Sequence, residues 1–466
     1  MKTQKKVLFV VPDGVGIKNY LYSKLLTYLK KDDIQVVIWS SLPKKVFAEI
    51  EDLHGVALDY KTIKLLPEPP LTRLYREATS YARLKYNAKI KNNATILTNW
   101  PKPEGFNKRS NMQRVAQLIG NYLAKDYQRI LAFEAKSKQH WTTSIIDQFA
   151  SDLVALNPQS IFITHQRVAS LMPICLAAKQ LGITINTAIF SWDNLPKARL
   201  CVEADNYFVW GNWMQKEMAD YYPEISKDKV KLVGTPQFEF YLDDTEDATK
   251  DAFARHYNLD VNKTWICFSG DDERTSPYDP QYLNDLAEVL SSRTDVQIIF
   301  RRCPVDFSTR YDHVLERYNL LIKPIDPIWN TLEGNWGGTY PDYKDVNLQR
   351  NLAKHCSLVV NLGSTMAFDF SIFNKPCVYI NYDVESNDDW SVKTIYQLQH
   401  FRSMGNLEGV AWLNSKEDII TILNQVLNES ETVAKDKVQW RDNVVLSPLN
   451  ESSQLIAKQL VGNEVI

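Results

Sequence analysis

Leu358-Val359-Val360-Asn361-Leu362-Gly363-Ser364-Thr365-Met366-Ala367-Phe368-Asp369 is followed closely by Lys375-Pro376-Cys377-Val378-Tyr379-Ile380. An apolar run ends at a glycine, two hydroxyl residues follow, a helical pattern starts, and a second apolar run closes the unit. This is the strand–turn–helix–strand of a parallel sheet, whose strands are buried on both faces and so read as continuous apolar stretches. The first turn of such a helix leaves backbone N–H groups unpaired at the positive end of the peptide dipoles. A diphosphate fits there, with Gly363 allowing the turn and the Ser364 and Thr365 hydroxyls adding donors. Asp369, one turn on, is placed to accept from ribose hydroxyls. The plain alternative is an ordinary capped helix start.

Outward from this stretch the same alternation continues. Apolar runs at 265–268, 296–300 and 320–322 precede it, separated by helical stretches. The N-terminal half repeats the scheme. Residues 7–12 form an apolar run, Asp13-Gly14-Val15-Gly16 turns the chain, a helical pattern follows, and 34–39 is apolar again. Similar units lie at 160–164, 183–190, 207–210 and 230–233. Strands and helices alternating in two successive sets imply an α/β protein of two doubly wound, Rossmann-like domains facing across a cleft. The domains are expected over 1–240 and 241–446, with a C-terminal helix over 447–466. Within the first domain, 66–107 carries two proline clusters and no clean strand, and an irregular helical insert is expected over about 66–150. The acidic stretch 243–251 reads as a linker or a first surface helix.

Composition narrows the functional classes. The chain of 466 residues is 44% hydrophobic and 24% charged, as globular proteins are, and its length suggests more than one domain. Lys+Arg number 54 against Asp+Glu 56, so no basic field exists to hold a nucleic acid. The apolar run at 7–12 is too short for a signal-peptide core, and no run approaches the ~20 residues of a membrane span. The six cysteines are scattered without a Cys-x-x-Cys pair and read as reduced core thiols rather than disulfides or metal ligands. A cytoplasmic protein, working freely or at the inner face of the membrane, is the expectation.

Two more strand ends in the second half carry polar features. Phe268-Ser269-Gly270-Asp271-Asp272-Glu273-Arg274-Thr275-Ser276 follows the first strand there. Ser269, Gly270, Thr275 and Ser276 are candidate phosphate or sugar contacts, although three successive acids would repel a phosphate. Ile299-Phe300-Arg301-Arg302-Cys303-Pro304 ends the next strand, where the Arg301 guanidinium would neutralise a phosphate through paired N–H donors.

These segments resemble a known family. The 358–380 segment resembles the donor-binding strand–loop–helix of GT-B glycosyltransferases, and Arg301-Arg302-Cys303-Pro304 resembles their Arg-Pro-His-Pro-like element. Pro12-Asp13-Gly14-Val15-Gly16, Phe190-Ser191-Trp192-Asp193-Asn194-Leu195 and Val233-Gly234-Thr235-Pro236-Gln237-Phe238 resemble bacterial surface-polysaccharide (capsule and O-antigen) glycosyltransferases. The resemblance leaves out 66–150. It implies a nucleotide-sugar donor carried by UDP, dTDP, GDP or CMP, a saccharide or lipid-linked acceptor, and no obligatory metal or further cofactor. Two departures matter: Cys303 stands where a histidine is common, and Asp369 where many relatives have Glu.

An inverting transfer needs a base to take the acceptor hydroxyl proton. Asp193, Asp13 and His165 each follow a strand of the first domain and are the candidates, in that order. Each has a plain alternative as a turn former, a helix cap or a hydrogen-bonded structural histidine. A retaining enzyme would need none of them. Gly14, Gly16, Trp192 and Asn194 are expected on the acceptor side, Trp192 as a stacking face for a sugar ring. Arg73, Arg76, Arg83, Lys85 and Lys89 form a candidate basic patch for a lipid-linked acceptor, with a solvated helix face as the simpler account. A nucleotide-sugar 2-epimerase, a polyol-phosphate transferase and a catalytically silent scaffold subunit are the rival readings on the same fold.

Overall fold

The computed structural model describes residues 4–244, 248–332, 338–387 and 390–462. It comprises two compact units. Met1–Gln237, Leu398–His400 and Val444–Ile466 form the first, and Phe238–Gln397 with Phe401–Asn443 the second. Three parts of the sequence-based division therefore change, the first being that residues 238–240 belong to the second unit. Residues 398–400 and 444–446 belong to the first unit, and the C-terminal segment is a part of that unit rather than an appendage.

In the first unit, β1 (Lys5–Val11), β2 (Ile34–Ser40), β3 (Asp59–Thr62), β4 (Ser160–Ile163), β5 (Thr184–Ala188), β6 (Asn206–Val209) and β7 (Val230–Leu232) make one parallel sheet. Its order is β3-β2-β1-β4-β5-β6-β7. Val7, Leu8, Phe9, Val10 and Val11 are all completely buried, which explains an unbroken apolar run where a one-sided strand would alternate. Each such side chain contributes roughly 1.5–3 kcal/mol of burial.

The second unit contains β8 (Thr264–Ser269), β9 (Val296–Arg301) and β10 (Ile322–Pro324), then a small antiparallel pair, β11 (Trp329–Thr331) with β12 (Thr339–Pro341). β13 (Leu358–Asn361), β14 (Cys377–Ile380) and β15 (Ala411–Leu413) complete a parallel sheet of order β10-β9-β8-β13-β14-β15. The two Rossmann-like units make this an α/β protein of two parallel sheets, seven- and six-stranded. Of the acidic stretch 243–251, residues 245–247 lie outside the described residues, and the helix Lys250–Tyr257 opens on a Thr249 cap.

The insert is helical. Its long helix Pro70–Ile90 packs against Lys108–Leu123 and Tyr127–Ser137. Arg83 is 2% exposed and bonds Glu134 at 2.5 Å and Glu224 at 2.7 Å, tying the insert to the chain after β6. Arg76 chelates Glu68 at 2.7 and 2.6 Å. The proposed basic patch therefore loses two members, because Arg76 and Arg83 are paired inside the protein; Arg73, Lys85 and Lys89 stay exposed. Among the described residues no helix is long and apolar enough to cross a membrane.

The C-terminal segment is fixed by backbone contacts. Leu446 N–H donates to Trp210 O at 2.7 Å, and the helix Ser452–Leu460 packs against Leu25–Lys31. Gly211 has no room for a side chain, since a Cβ would stand 2.3 Å from Val444 O. Gly211→Ala should therefore force this backbone apart and cost about 1–3 kcal/mol, read as a lower thermal midpoint for the first unit. An unchanged midpoint would mean that the segment is held by other contacts.

Candidate functional site

In an open parallel sheet, ligands bind beyond the carboxyl ends of the strands where the strand order reverses. In the first unit that point is the β1/β4 boundary, since the chain runs outward from β1 through β2 to β3 and from β4 through β5 to β7. Asp13 follows β1 and His165 follows β4. Their side chains meet there: His165 Nδ1 lies 2.5 Å from Asp13 Oδ2. The other Asp13 oxygen accepts from the Val15 and Gly16 amides at 3.1 and 3.2 Å. One carboxylate thus caps the first turn after the strand and orients an imidazole. The ring stacks on Phe190, centroids 3.9 Å apart, and its Nε2 is buried without a partner among the described residues. An ionised Asp13 fixes the proton on Nδ1 and leaves the Nε2 lone pair free, the arrangement of a general base with its orienting acid.

Asp193 is held differently. Its Oδ1 accepts from Asn194 Nδ2 at 2.7 Å and its Oδ2 pairs with Lys197. Burial opposes its ionisation, but Lys197 and His400 outweigh burial and hold the carboxyl well below the usual range. A carboxylate so stabilised is a poor proton acceptor, which counts against its first rank among the candidate bases. Trp192 is 4% exposed and meets His400 edge-on at 4.6 Å, so its face is a packing surface rather than an open stacking platform. Asn194 bonds Gln166 and Asp193. Gly14 and Gly16 are buried in the turn after β1, Gly16 against Thr164. One acid escaped the sequence reading. Glu217, on the helix Asn212–Tyr221, is 2% exposed, and burial pushes its carboxyl up to about 8. Its helical pattern gave no signal, because a Glu there reads as surface.

The reversal in the second sheet lies between β8 and β13. Ser269 ends β8, and Gly363, Ser364 and Thr365 follow β13. Gly363 has φ +70°, and a Cβ there would stand 2.7 Å from the Phe401 ring, so only glycine makes this turn. Ser364 N–H donates to Asn361 Oδ1 at 2.8 Å, and Ser364 Oγ accepts from the Met366 amide at 3.3 Å. The three turn residues are half-buried. The helix that follows, Met366–Ile372, has seven residues, so local amides and hydroxyls outweigh any long-range dipole. Gly270 packs under Tyr311, and its amide bonds Arg301 O at 2.9 Å.

Four expected donor contacts have internal partners instead. Asp369 is 6% exposed and accepts from Gln349 Nε2 at 3.1 Å and from the Tyr241 hydroxyl, partners that take the place of a ribose. Arg301 is 4% exposed and gives Nη2 to both oxygens of the fully buried Asp345, at 2.8 and 3.0 Å. Asp345 balances the Arg301 charge inside the unit, while Arg301 Nη1 is buried without a partner among the described residues. Asp345 also accepts from the Ile328 amide and Trp329 Nε1. Thr275 Oγ1 donates to Asp272 Oδ2 at 2.8 Å, and Ser276 Oγ to Asp279 Oδ1 at 2.5 Å. The acids that seemed to repel a ligand thus organise the loop, and Arg310 ties it down through the Asp271 and Ser276 carbonyls. Burial, then the charges of Asp279 and Asp272, push Asp271 up to about 8. Among the described residues no group of three or more His, Cys, Asp or Glu is placed to hold a metal ion.

No family model matches the sequence, and no curated protein sequence matches it. Solved structures do resemble the fold. UDP-GlcNAc 2-epimerase from Neisseria meningitidis, bound to UDP-GlcNAc, superposes with a TM-score of 0.56 at 11% identity, covering 98% of this chain and 100% of its own. S. aureus MnaA with UDP gives 0.55 at 11% identity, covering 99% and 98%. A glycosyltransferase from Rickettsia africae gives 0.53 at 10% identity, covering 99% and 100%. The shared property is the fold. It spans the whole chain, including the helical insert that the sequence resemblance left out.

Two consequences can be measured. Asp345→Ala leaves the buried Arg301 guanidinium uncompensated and should cost about 3–5 kcal/mol, read by denaturant unfolding; a loss under about 1 kcal/mol would mean water reaches the pair. Asp271 keeps its proton in the fold to about pH 8, far above its unfolded value of 3.8. Its contribution is therefore full below pH 3.8 and lost as pH rises through about 8. Asp271→Asn should raise the thermal midpoint above that of the parent chain at pH 9, by about 2 °C or more, with no such gain at pH 4. Equal gains at both pH values would contradict the shift.

Proposed function

We propose that the protein is a nucleotide-sugar-dependent glycosyltransferase, in which His165 is the base that takes the acceptor hydroxyl proton and Asp13 positions it. The observation that carries this reading is the Asp13–His165 pair at the β1/β4 reversal, with a bare Nε2. Removing a proton from a hydroxyl as it attacks the anomeric carbon requires one oriented base, and the pair supplies it. The nucleotide diphosphate is assigned to the second unit, at the turn Gly363-Ser364-Thr365 and Ser269. Support for a nucleotide sugar comes from the fold, since similar structures hold UDP or UDP-GlcNAc. The acceptor is a saccharide or lipid-linked saccharide of surface polysaccharide assembly, as the sequence resemblance implies, and the setting is the cytoplasm or the inner membrane face, as the composition and cysteine pattern suggest.

Epimerisation of a nucleotide sugar at C2 is the second reading, favoured by the fold shared with 2-epimerases at TM-scores of 0.55 and 0.56. The two differ in products. Transfer consumes an acceptor and releases a nucleoside diphosphate, whereas epimerisation conserves mass and needs no acceptor.

Thermal shift with UDP, GDP, dTDP and CMP should stabilise the chain with at least one nucleotide, by ~2.7 kcal/mol at a hundredfold excess over Kd. No response to any of them would remove the donor assignment. With the nucleotide known, His165→Asn should lower kcat by about 10²–10⁴-fold while leaving the nucleotide shift intact. Asp193→Asn should retain most of the turnover. Near-normal kcat in His165→Asn would overturn its role.

A further inference from the structure

The helix Lys108–Leu123 of the first unit reverses the usual order of a surface helix. Its inner face, packed on the helix Pro70–Ile90, is Ser110, Gln113, Ala116, Gly120 and Leu123, small or polar except for the last. Its outer face is the row Asn111, Val115, Leu118 and Tyr122, whose spacing of four, three and four residues aligns them along one side. Leu118 is 73% exposed, Tyr122 58% and Val115 44%, and Phe106, just before the helix, is 91% exposed. An ordinary surface helix turns its apolar side inward. Apolar side chains gathered on the outward side mark a surface that another body covers.

Cations surround this row and acids avoid it. From Ala78 to Lys125 the sequence holds nine Lys and Arg and a single acid, Glu104, in a chain where the two signs are nearly equal. Two of the nine are committed elsewhere, Arg83 to Glu134 and Glu224 and Lys91 to Asp220. Lys108, Arg109 and Lys125 are exposed, and among the described residues none of the three pairs with an acid. Arg114 bonds the neutral acceptors Asn111 Oδ1 at 3.0 Å and Gly105 O at 2.6 Å, and its guanidinium lies 4.8 Å over the Phe106 ring. At the other end Arg129 lies 4.9 Å over the Tyr122 ring. Its acid is Asp126, at 3.6 Å, which also caps the next helix. Each aromatic ring of the face therefore carries a cation, and Lys85 donates to Asn121 beside the row.

Apolar and aromatic side chains ringed by cations complement the boundary of an anionic bilayer. There the apolar tips enter at headgroup depth, while Lys and Arg lay their stems along them and reach lipid phosphates. A nucleic acid would engage the cations and leave Val115 and Leu118 in water. A second copy meeting this face about a two-fold axis would set the same cations against each other, and like charges across an interface repel. We propose that the outer face of the helix Lys108–Leu123 docks the first unit on an anionic lipid surface. The inference does not rest on the transferase reading.

Co-sedimentation of the full chain with vesicles, without nucleotide, tests it. Vesicles of equimolar phosphatidylglycerol and phosphatidylcholine are compared with vesicles of phosphatidylcholine alone. The mixed vesicles should bind at least about 10-fold more tightly, since each cation that reaches an anionic surface contributes about 5-fold. Raising the salt from about 0.1 M to about 0.5 M should remove most of that preference. Leu118→Ser should weaken binding by about 5-fold or more. Lys108→Gln combined with Arg109→Gln should weaken binding to the mixed vesicles by about 10-fold or more. All three side chains are exposed, so neither variant should lower the thermal midpoint, which separates a lost lipid contact from a misfolded chain. Light scattering without lipid should give a mass that Leu118→Ser leaves unchanged. A dimer that this variant dissociates would make the face a contact between copies and overturn the proposal. So would equal binding to both kinds of vesicle, no binding to either, or parental affinity in both variants. Because neither nucleotide nor turnover enters the measurement, such a failure leaves the donor assignment untouched.

Discussion

Parallel strands cannot be joined by tight turns; each needs a crossover that returns the chain to the same edge of the sheet. Where crossovers run outward in both directions from a central pair of strands, the chain diverges and leaves a crevice at the carboxyl ends. That constraint determines the geometry of both units. At β1/β4 it brings Asp13 and His165 together across 152 positions of sequence, and at β8/β13 it sets Ser269 beside the glycine turn after β13. The buried apolar strands hold those ends rigid, so the polar turns gain defined positions without a core of their own.

Within the first unit, electrostatics separates three carboxyl groups. Asp13 divides its oxygens between two backbone amides and one imidazole, and so acts on the ring nitrogen it faces. Asp193 faces Lys197 and His400, which stabilise its anion and lower its appetite for a proton. Glu217 has lost its water to burial and keeps its proton to about pH 8. The same carboxyl chemistry thus yields an orienting anion, a paired anion and a neutral acid, and only the first leaves a basic atom open.

Most of the architecture was legible because the central strands are buried on both faces. The runs at 7–12, 34–39, 265–268 and 358–361 all lie within strands or at their ends. The strands that escaped notice are edges. β3 is Asp-Tyr-Lys-Thr with mostly exposed side chains and makes no apolar run, and β15, Ala-Trp-Leu, is apolar but only three residues long. Residues 398–400 and 444–446 were assigned to the wrong half because nothing local in a sequence records which unit a crossing segment joins. At the site, strand-end positions were readable, since Asp13, His165 and Gly363 occupy turns that follow long apolar runs. Partners were not. Arg301 looked like a phosphate ligand until Asp345, 44 residues away, was seen to neutralise it, and Thr275 and Ser276 until Asp272 and Asp279 were seen to hold their hydroxyls. Sequence gives donors and acceptors, whereas their pairing is a property of the fold.

The account depends on which nitrogen of His165 carries the proton. Nitrogen-15 NMR of histidine-labelled protein at neutral pH, with the His165 signals assigned by their loss in His165→Asn, reads that directly. The neutral ring should be protonated at Nδ1, facing Asp13, and bare at Nε2; Asp13→Asn should disturb that preference. A neutral ring protonated at Nε2 would leave no base in the first crevice and would contradict the proposed role of the pair.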